Sequence, residues 1–250
     1  MDDRSVKLIA SQSSLEFLDI SYCKKVTDQG LGSFHDKTLP LTSIVVNGLS
    51  GVSSLGLGQL VGCCMKTLVD FEAASLDQDT FKSDIFVKLG QCWSLESLDV
   101  TGAKHIDDQA FVNVSKAEVV PAPGEKPVSP GLVNLKVVKV GFCSLSDFGV
   151  VTMCKVAPNI EHLEINRLET LTEYSVKFIF KELTQLKFLD ANGVSAITYQ
   201  MLDELKTTKP NLIMRKFRYD TFDKKDNGLR VPRRVVEKKK KKKKGKKSKK

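Results

Sequence analysis

The sequence predicts an α/β solenoid: repeated strand–turn–helix units, with one parallel sheet on a concave side and helices on the convex side. Three observations predict it. A frame L-x-x-L-x-L-x-x-C opens at Leu15 and restarts at Leu41, Leu68, Leu95, Leu135, Ile160, Leu186 and Leu212. Its three leading positions are apolar at 23 of 24 places. After each strand position comes a polar helix start followed by apolar residues at helical spacing.

The restarts are 26, 27, 27, 40, 25, 26 and 26 residues apart, and only the fourth step is long. The leading positions are Leu15/Leu18/Ile20, Leu41/Ile44/Val46, Leu68/Phe71/Ala73, Leu95/Leu98/Val100, Leu135/Val138/Val140, Ile160/Leu163/Ile165, Leu186/Leu189/Ala191 and Leu212/Arg215/Phe217. The last two of each triple alternate with outward neighbours, the period-2 pattern of a half-buried strand. Arg215 is the one charged residue at an inward place. Thr27-Asp28, Asp107-Asp108, Ser146-Asp147 and Thr172-Glu173 occupy equivalent places, where a hydroxyl or carboxylate caps free amides and an acid suits the helix dipole. Leu31/Phe34, Phe111/Val114, Val150/Met153 and Val176/Ile179 then point each helix at the core. Ser5-Val6-Lys7-Leu8-Ile9 parallels Ser175-Val176-Lys177-Phe178-Ile179, so residues 1–14 read as a partial repeat entered inside its helix.

The frame, the Thr-Asp-x-Gly-Leu that follows it and the re-entries Cys92-Trp93-Ser94-Leu95, Pro158-Asn159-Ile160 and Pro210-Asn211-Leu212 resemble the cysteine-containing leucine-rich repeats of F-box proteins. The resemblance covers roughly residues 3–217 and implies a leucine-rich-repeat solenoid, a curved horseshoe. In that family, ubiquitin-ligase members recruit substrates through the repeats and dock on the ligase through an upstream F-box domain. No F-box segment is seen in residues 1–250. The resemblance therefore implies substrate-receptor-like recognition, with ubiquitin-ligase subunits among the partners.

The expected organisation is an array over 15–217 with a Pro-rich insertion at 115–131, a cap or linker at 218–236 and a poly-Lys tail at 237–250. Pro121, Pro123, Pro127 and Pro130 place the insertion as a surface loop or a partner-binding loop. The net charge of +9 conceals two parts. Lys206–Lys250 holds 21 basic and 4 acidic residues, net +17; residues 1–205 hold 18 and 26, net −8. The tail carries Arg233, Arg234, Lys238, Lys239, Lys240, Lys241, Lys242, Lys243 and Lys244 with no interleaved aromatic to stack on bases. It reads as a solubility tail, a nuclear-import signal or a salt-sensitive contact for nucleic acid and acidic surfaces. No apolar run approaches the ~20 residues that cross a bilayer, and the start lacks a signal-peptide pattern, so a cytoplasmic or nuclear setting without membrane is expected.

Motifs for catalysis are weak. Cys23, Cys63, Cys64, Cys92, Cys143 and Cys154 form no C-x-x-C pair and read as buried thiols; His35, His105 and His162 fall on different repeats. Gly56 and Gly58 lack the Gly-Lys-Ser/Thr of a phosphate loop. No cofactor, metal or enzymatic activity is expected. The outward strand columns run Asp19, Val45, Glu72, Asp99, Lys139, Glu164, Asp190, Lys216 and Phe17, Ser43, Asp70, Ser97, Val137, His162, Phe188, Met214. Acids dominate the first column, and Phe17 and Phe188 gain little from solvent. Phe17, Asp19, Glu72, Asp99, His162, Glu164, Phe188 and Asp190 are thus the candidate contacts for a protein partner on the concave face. The expected function is a non-enzymatic protein-binding scaffold. Two alternatives remain open: an accessory factor of a ribosome or other nucleic-acid particle anchored by the tail, and a microtubule- or axoneme-associated structural protein. Deleting residues 238–250 should leave the melting temperature unchanged, since no apolar residue there can pack, while abolishing retention on a polyanion column at low salt. A melting temperature lowered by many degrees would make the tail structural.

Overall fold

The structure, a computed structural model, describes residues 1–76, 79–117 and 132–215. All belong to one compact unit, Met1–Tyr219. Residues 118–131 of the insertion, the region 218–236 and the basic tail lie outside the described residues. Eight short strands follow the frame: β1 Phe17–Asp19, β2 Ser43–Val45, β3 Asp70–Glu72, β4 Ser97–Asp99, β5 Val137–Lys139, β6 His162–Glu164, β7 Phe188–Asp190 and β8 Ile213–Arg215. They form one sheet in chain order, with parallel pairing at every step.

A three-residue strand has too few hydrogen bonds to persist alone. Here each central residue, from Leu18 through Phe71 and Leu98 to Leu189, is buried together with the apolar residue two places on. Burying a side chain of this size contributes about 1.5–3 kcal/mol, and the repeats share one continuous core. This is the leucine-rich-repeat arrangement: a parallel sheet on one side and helices on the other.

The eighth strand departs from the expected frame. Leu212 N donates to Lys209 O as Leu186 N does to Leu183 O, so the approach turn is kept. The pairing then comes one residue early, with Leu189 opposite Met214 and Asp190 opposite Arg215. Met214 takes the inward place assigned to Arg215, and the outward positions are Ile213 and Arg215 rather than Met214 and Lys216. A one-residue slip exchanges the two faces of a strand, and here it spares the core an unpaired guanidinium.

The helices are α1 Asp3–Ile9, α2 Asp28–Leu31, α3 Ser54–Gly62, α4 Phe86–Leu89, α5 Gln109–Ser115, α6 Asp147–Val156, α7 Glu173–Glu182 and α8 Tyr199–Thr208. Thr27, Ser53, Ser146, Thr172 and Thr198 each cap one through a side-chain oxygen. α1 is capped by Asp2, whose side chain accepts from Ser5 N. Ser115, expected to open the insertion, closes α5 instead. The chain is buried again at Leu132.

Beneath the helix starts runs a second set of bonds that joins one repeat to the next. The residue after each cap reaches forward to the cap of the following repeat. Asp3 accepts from Thr27 N and Oγ1 at 2.8 and 2.7 Å, and Asp28 from Ser53 N and Oγ. Asp108 does the same to Ser146, and Asp147 to Thr172. Between them Ser54 Oγ bonds Lys82 N and O, and Ser83 Oγ bonds Asp107. The latch also explains the glycine in Thr-Asp-x-Gly-Leu. A Cβ on Gly30, Gly56 or Gly149 would overlap Oδ1 of Asp3, Asp28 or Asp108. Where the latch is the smaller Ser54 or Ser83, that place holds Ile85 or Ala110, and opposite Asp147 it holds Ser175, which hydrogen-bonds the carboxylate instead of clashing with it.

Gly149→Ala should therefore destabilise the fold by about 1–3 kcal/mol, although alanine is the better helix former. Combining it with Asp108→Ser should recover most of that loss, because the pair then matches Ser83 and Ala110. A double-mutant cycle by chemical denaturation checks this; additive effects would remove the latch as the cause.

Candidate functional site

The outer face of the sheet is built by the first and third residue of every strand. Pairing aligns Phe17, Ser43, Asp70, Ser97, Val137, His162, Phe188 and Ile213 in one column and Asp19, Val45, Glu72, Asp99, Lys139, Glu164, Asp190 and Arg215 in the other. Neighbouring strands lie about 4.8 Å apart, so Glu72 is forced beside Asp99 and Glu164 beside Asp190. Like charges this close repel unless something offsets them.

Part of the offset is local. Asp19, Asp99 and Asp190 each accept, through Oδ1, the amide two residues on: Ser21, Thr101 and Asn192, at 2.9, 2.9 and 3.1 Å. These carboxylates cap the turn that leaves the strand, a role that sequence reasoning missed. Its signal was an Asp followed two places on by Ser, Thr or Asn. The remainder comes from side chains, two of them reaching across from a neighbouring repeat and His162 standing on the same strand as Glu164. Asn47 Nδ2 donates to Glu72 Oε2 at 3.1 Å, Lys139 Nζ lies 3.2 Å from Asp99 Oδ2, and His162 Nε2 lies 2.8 Å from Glu164 Oε1. Partial burial opposes the charge on Lys139. Asp99, Glu164 and Glu72 outweigh it and raise the lysine above its ordinary range, so it stays a cation.

The two columns change character along the sheet. The first is polar over Ser43, Asp70 and Ser97, then apolar and aromatic from Val137 to Ile213. The His162 ring stacks on Phe188 at 4.2 Å and 18°, and the Arg215 guanidinium lies 5.3 Å from the centre of the same ring. Of the sequence-derived candidates, His162, Glu164, Phe188 and Asp190 thus meet on β6 and β7, and Glu72 and Asp99 meet on β3 and β4. Phe17 and Asp19 stand on β1, with β2 between them and the rest; Phe17 is 58% exposed. Arg233, Arg234 and Lys238–Lys244 lie outside the described residues.

Asp190 departs from the expected solvent-facing acid, because it is only 7% exposed. Apart from the Asn192 amide its carboxylate takes no hydrogen bond among the described residues. Burial raises its pKa and Glu164 adds to the rise, against the opposing Asn192 amide, Arg215 and His162.

Elsewhere the described residues hold little chemistry. Cys63, Cys64, Cys92, Cys143 and Cys154 are buried, and Cys23 is half-buried and packed against the core. Burial pushes the thiols of Cys92, Cys143 and Cys154 up to about 12, so they stay protonated. His35 and His105 pair with Asp36 and Asp79, far from His162. No group of three metal-ligating side chains occurs among the described residues, and no helix there is long and apolar enough to cross a membrane. On the helix side a groove of about 490 Å³ is lined by charges of both signs, including His35, Asp36, Lys37, Asp84 and Lys88. The sheet face differs in carrying mainly one sign.

The strand frame, its parallel sheet and the capped helices define a leucine-rich-repeat solenoid. No protein-family model and no curated protein matches the sequence. Among solved structures, the chain is similar to the Rad7 and Elc1 complex of yeast, at 17% identity over 89% of this chain and 76% of that one, TM-score 0.42. It is also similar to an octameric complex of Latrophilin 3, Unc5D and the leucine-rich repeats of FLRT2, at 16% identity over 86% and 90%, TM-score 0.26. Likenesses this distant add nothing about partners.

The burial of Asp190 makes a prediction of defined sign. A carboxyl whose folded pKa is raised stabilises the fold below its ordinary pKa, and that stability is lost as pH rises through the raised value. Asp190→Asn keeps an acceptor for the Asn192 amide and removes the penalty. It should raise the melting temperature at pH 7, with the gain vanishing below the ordinary Asp value of about 3.9. A gain that persists unchanged at acid pH, or a loss at pH 7, would show that burial of the charge is not the cause.

Proposed function

We propose that the protein is a non-enzymatic protein-binding scaffold of the cytoplasm or nucleus, whose sheet face takes a partner surface that is basic and partly apolar. The observation that carries this reading is the junction on β6 and β7, where the acidic pair Glu164 and Asp190 adjoins the stacked rings of His162 and Phe188. Rigid aromatic anchors beside desolvated charge are the usual hot spots of protein interfaces. The resemblance to F-box repeats extends the reading to a substrate receptor, with ubiquitin-ligase subunits as further partners. A second reading rests on the +17 of Lys206–Lys250: an accessory factor tethered to a nucleic-acid particle, or to another acidic assembly such as a microtubule, by its tail.

Photo-crosslinking separates the two. Benzoylphenylalanine placed at Ser97 or Val137, on the sheet, should capture the same protein partners in cell extract with and without residues 238–250. The probe at Lys155 on α6 should not capture them. Capture that requires the tail and disappears with nuclease would favour the particle-bound factor; capture from Lys155 alone would move the interface to the helices.

A further inference from the structure

The charges of the outer column follow a pattern that a partner has to match. From β3 to β7 the column reads Glu72, Asp99, Lys139, Glu164, Asp190: two acidic pairs around one cation. The centres of the pairs are three strand spacings apart, about 14 Å, and Lys139 stands midway. An extended chain advances about 3.4 Å per residue, so residues four apart span about 14 Å and, being an even number apart, point the same way. The residue two places on then faces Lys139. A helix fits less well: its same-face repeats of seven and eleven residues span about 10 and 16 Å.

The pair on β6 and β7 is not saturated within the protein, whereas Asp99 on β4 already holds the Thr101 amide and Lys139 and would be shared between them and an incoming cation. Asp190 is 7% exposed, and its second carboxylate oxygen takes no hydrogen bond among the described residues. Arg215, opposite it in register, forms no ion pair with it and lies over Phe188 instead. Among the described residues Glu164 is held on one oxygen only, by His162. The second oxygen of Asp190, beside a Glu164 engaged on one side, leaves room on this pair for an incoming cation. Two carboxylates on neighbouring strands match the planar fork of arginine better than the single point of a lysine ammonium.

We infer that the column recognises an extended segment carrying two arginines four residues apart, with an acidic or uncharged residue midway between them. One arginine bridges Glu164 and Asp190 and the other bridges Glu72 and Asp99, while the central residue meets Lys139. This inference rests on the sheet face being the binding surface.

The probe is a fluorescein-labelled peptide, Gly-Arg-Ala-Glu-Ala-Arg-Ala, titrated against the full chain at moderate salt and followed by fluorescence anisotropy. Replacing the central Glu of the peptide by Lys should weaken binding roughly tenfold, as should moving the arginines to a spacing of three. Asp190→Asn and Glu72→Gln in the protein should each weaken it by a similar factor, and thermal melts confirm that both variants are folded. Lys139→Gln should narrow the gap between the Glu- and Lys-centred peptides, which a merely structural Lys139 would not do. Equal binding of the two peptides, or affinity indifferent to Asp190→Asn, overturns the inference. If the peptides fail while crosslinking from Ser97 and Val137 persists, the motif is wrong and the sheet remains the interface.

Discussion

Each repeat depends on the one before it through a side chain at the start of its neighbour's helix. Strands of three residues and helices of four to ten are below the length at which either persists in water. A helix start also leaves amides without partners. In this chain the cap hydroxyl takes one amide inside the helix, and the preceding repeat takes the amide of the cap itself: Asp3, Asp28, Asp108 and Asp147 bond both the amide and the hydroxyl of the next cap. The ladder ends at Thr172. Glu173, the next latch position, pairs with Lys177 four residues on in its own helix, and the place a glycine would occupy holds Met201. The repeat beyond that end is the one in which β8 slips by a residue against the frame. Register is kept where the ladder runs, and it shifts where only packing and strand pairing remain.

A fixed register fixes the charges as well. Once the strands stack in step, outward residues at equal places stand one strand spacing apart, and acids at those places cannot move away from one another. The protein answers with amides from its own turns, with Asn47, and with Lys139 and His162 set among the acids. Exposed ion pairs of this kind each contribute at most about 1 kcal/mol. Asp190 has no such cation within ion-pair distance among the described residues, although Arg215 is its neighbour in register.

The strands and inward triples were legible because period-2 alternation inside a 26-residue period leaves few other readings. The helix starts were legible as caps, which hid their second role. An Asp after Thr already looks explained by the helix dipole, so nothing in one repeat shows that the same carboxylate serves the next. The glycine three places past the cap has no local reason within its own repeat, because its reason lies in the repeat before. The slip of β8 was illegible on similar grounds: Leu212 keeps its approach turn, and only pairing with β7 shows that the strand opens one residue early. The outward direction of Asp190 was legible from alternation. Its burial was not, since burial is set by side chains from β6 and β8.

That burial separates two accounts of the acidic face. If the acids served only solubility, each would gain by standing in water, as Asp19 does at the edge of the sheet. Asp190 gains little solvation at 7% exposure, and its raised pKa means that the ionised form at neutral pH costs stability. Asparagine would fill the same space and accept the same Asn192 amide without that cost. Residues that make a fold less stable than an obvious substitute are characteristic of functional surfaces, where stability is given up for function. The cost falls between two strands whose other outward residues are a stacked histidine and phenylalanine. The part of the face least explained by solubility is therefore also the part best shaped to hold the aliphatic stem and charged end of a partner's side chain.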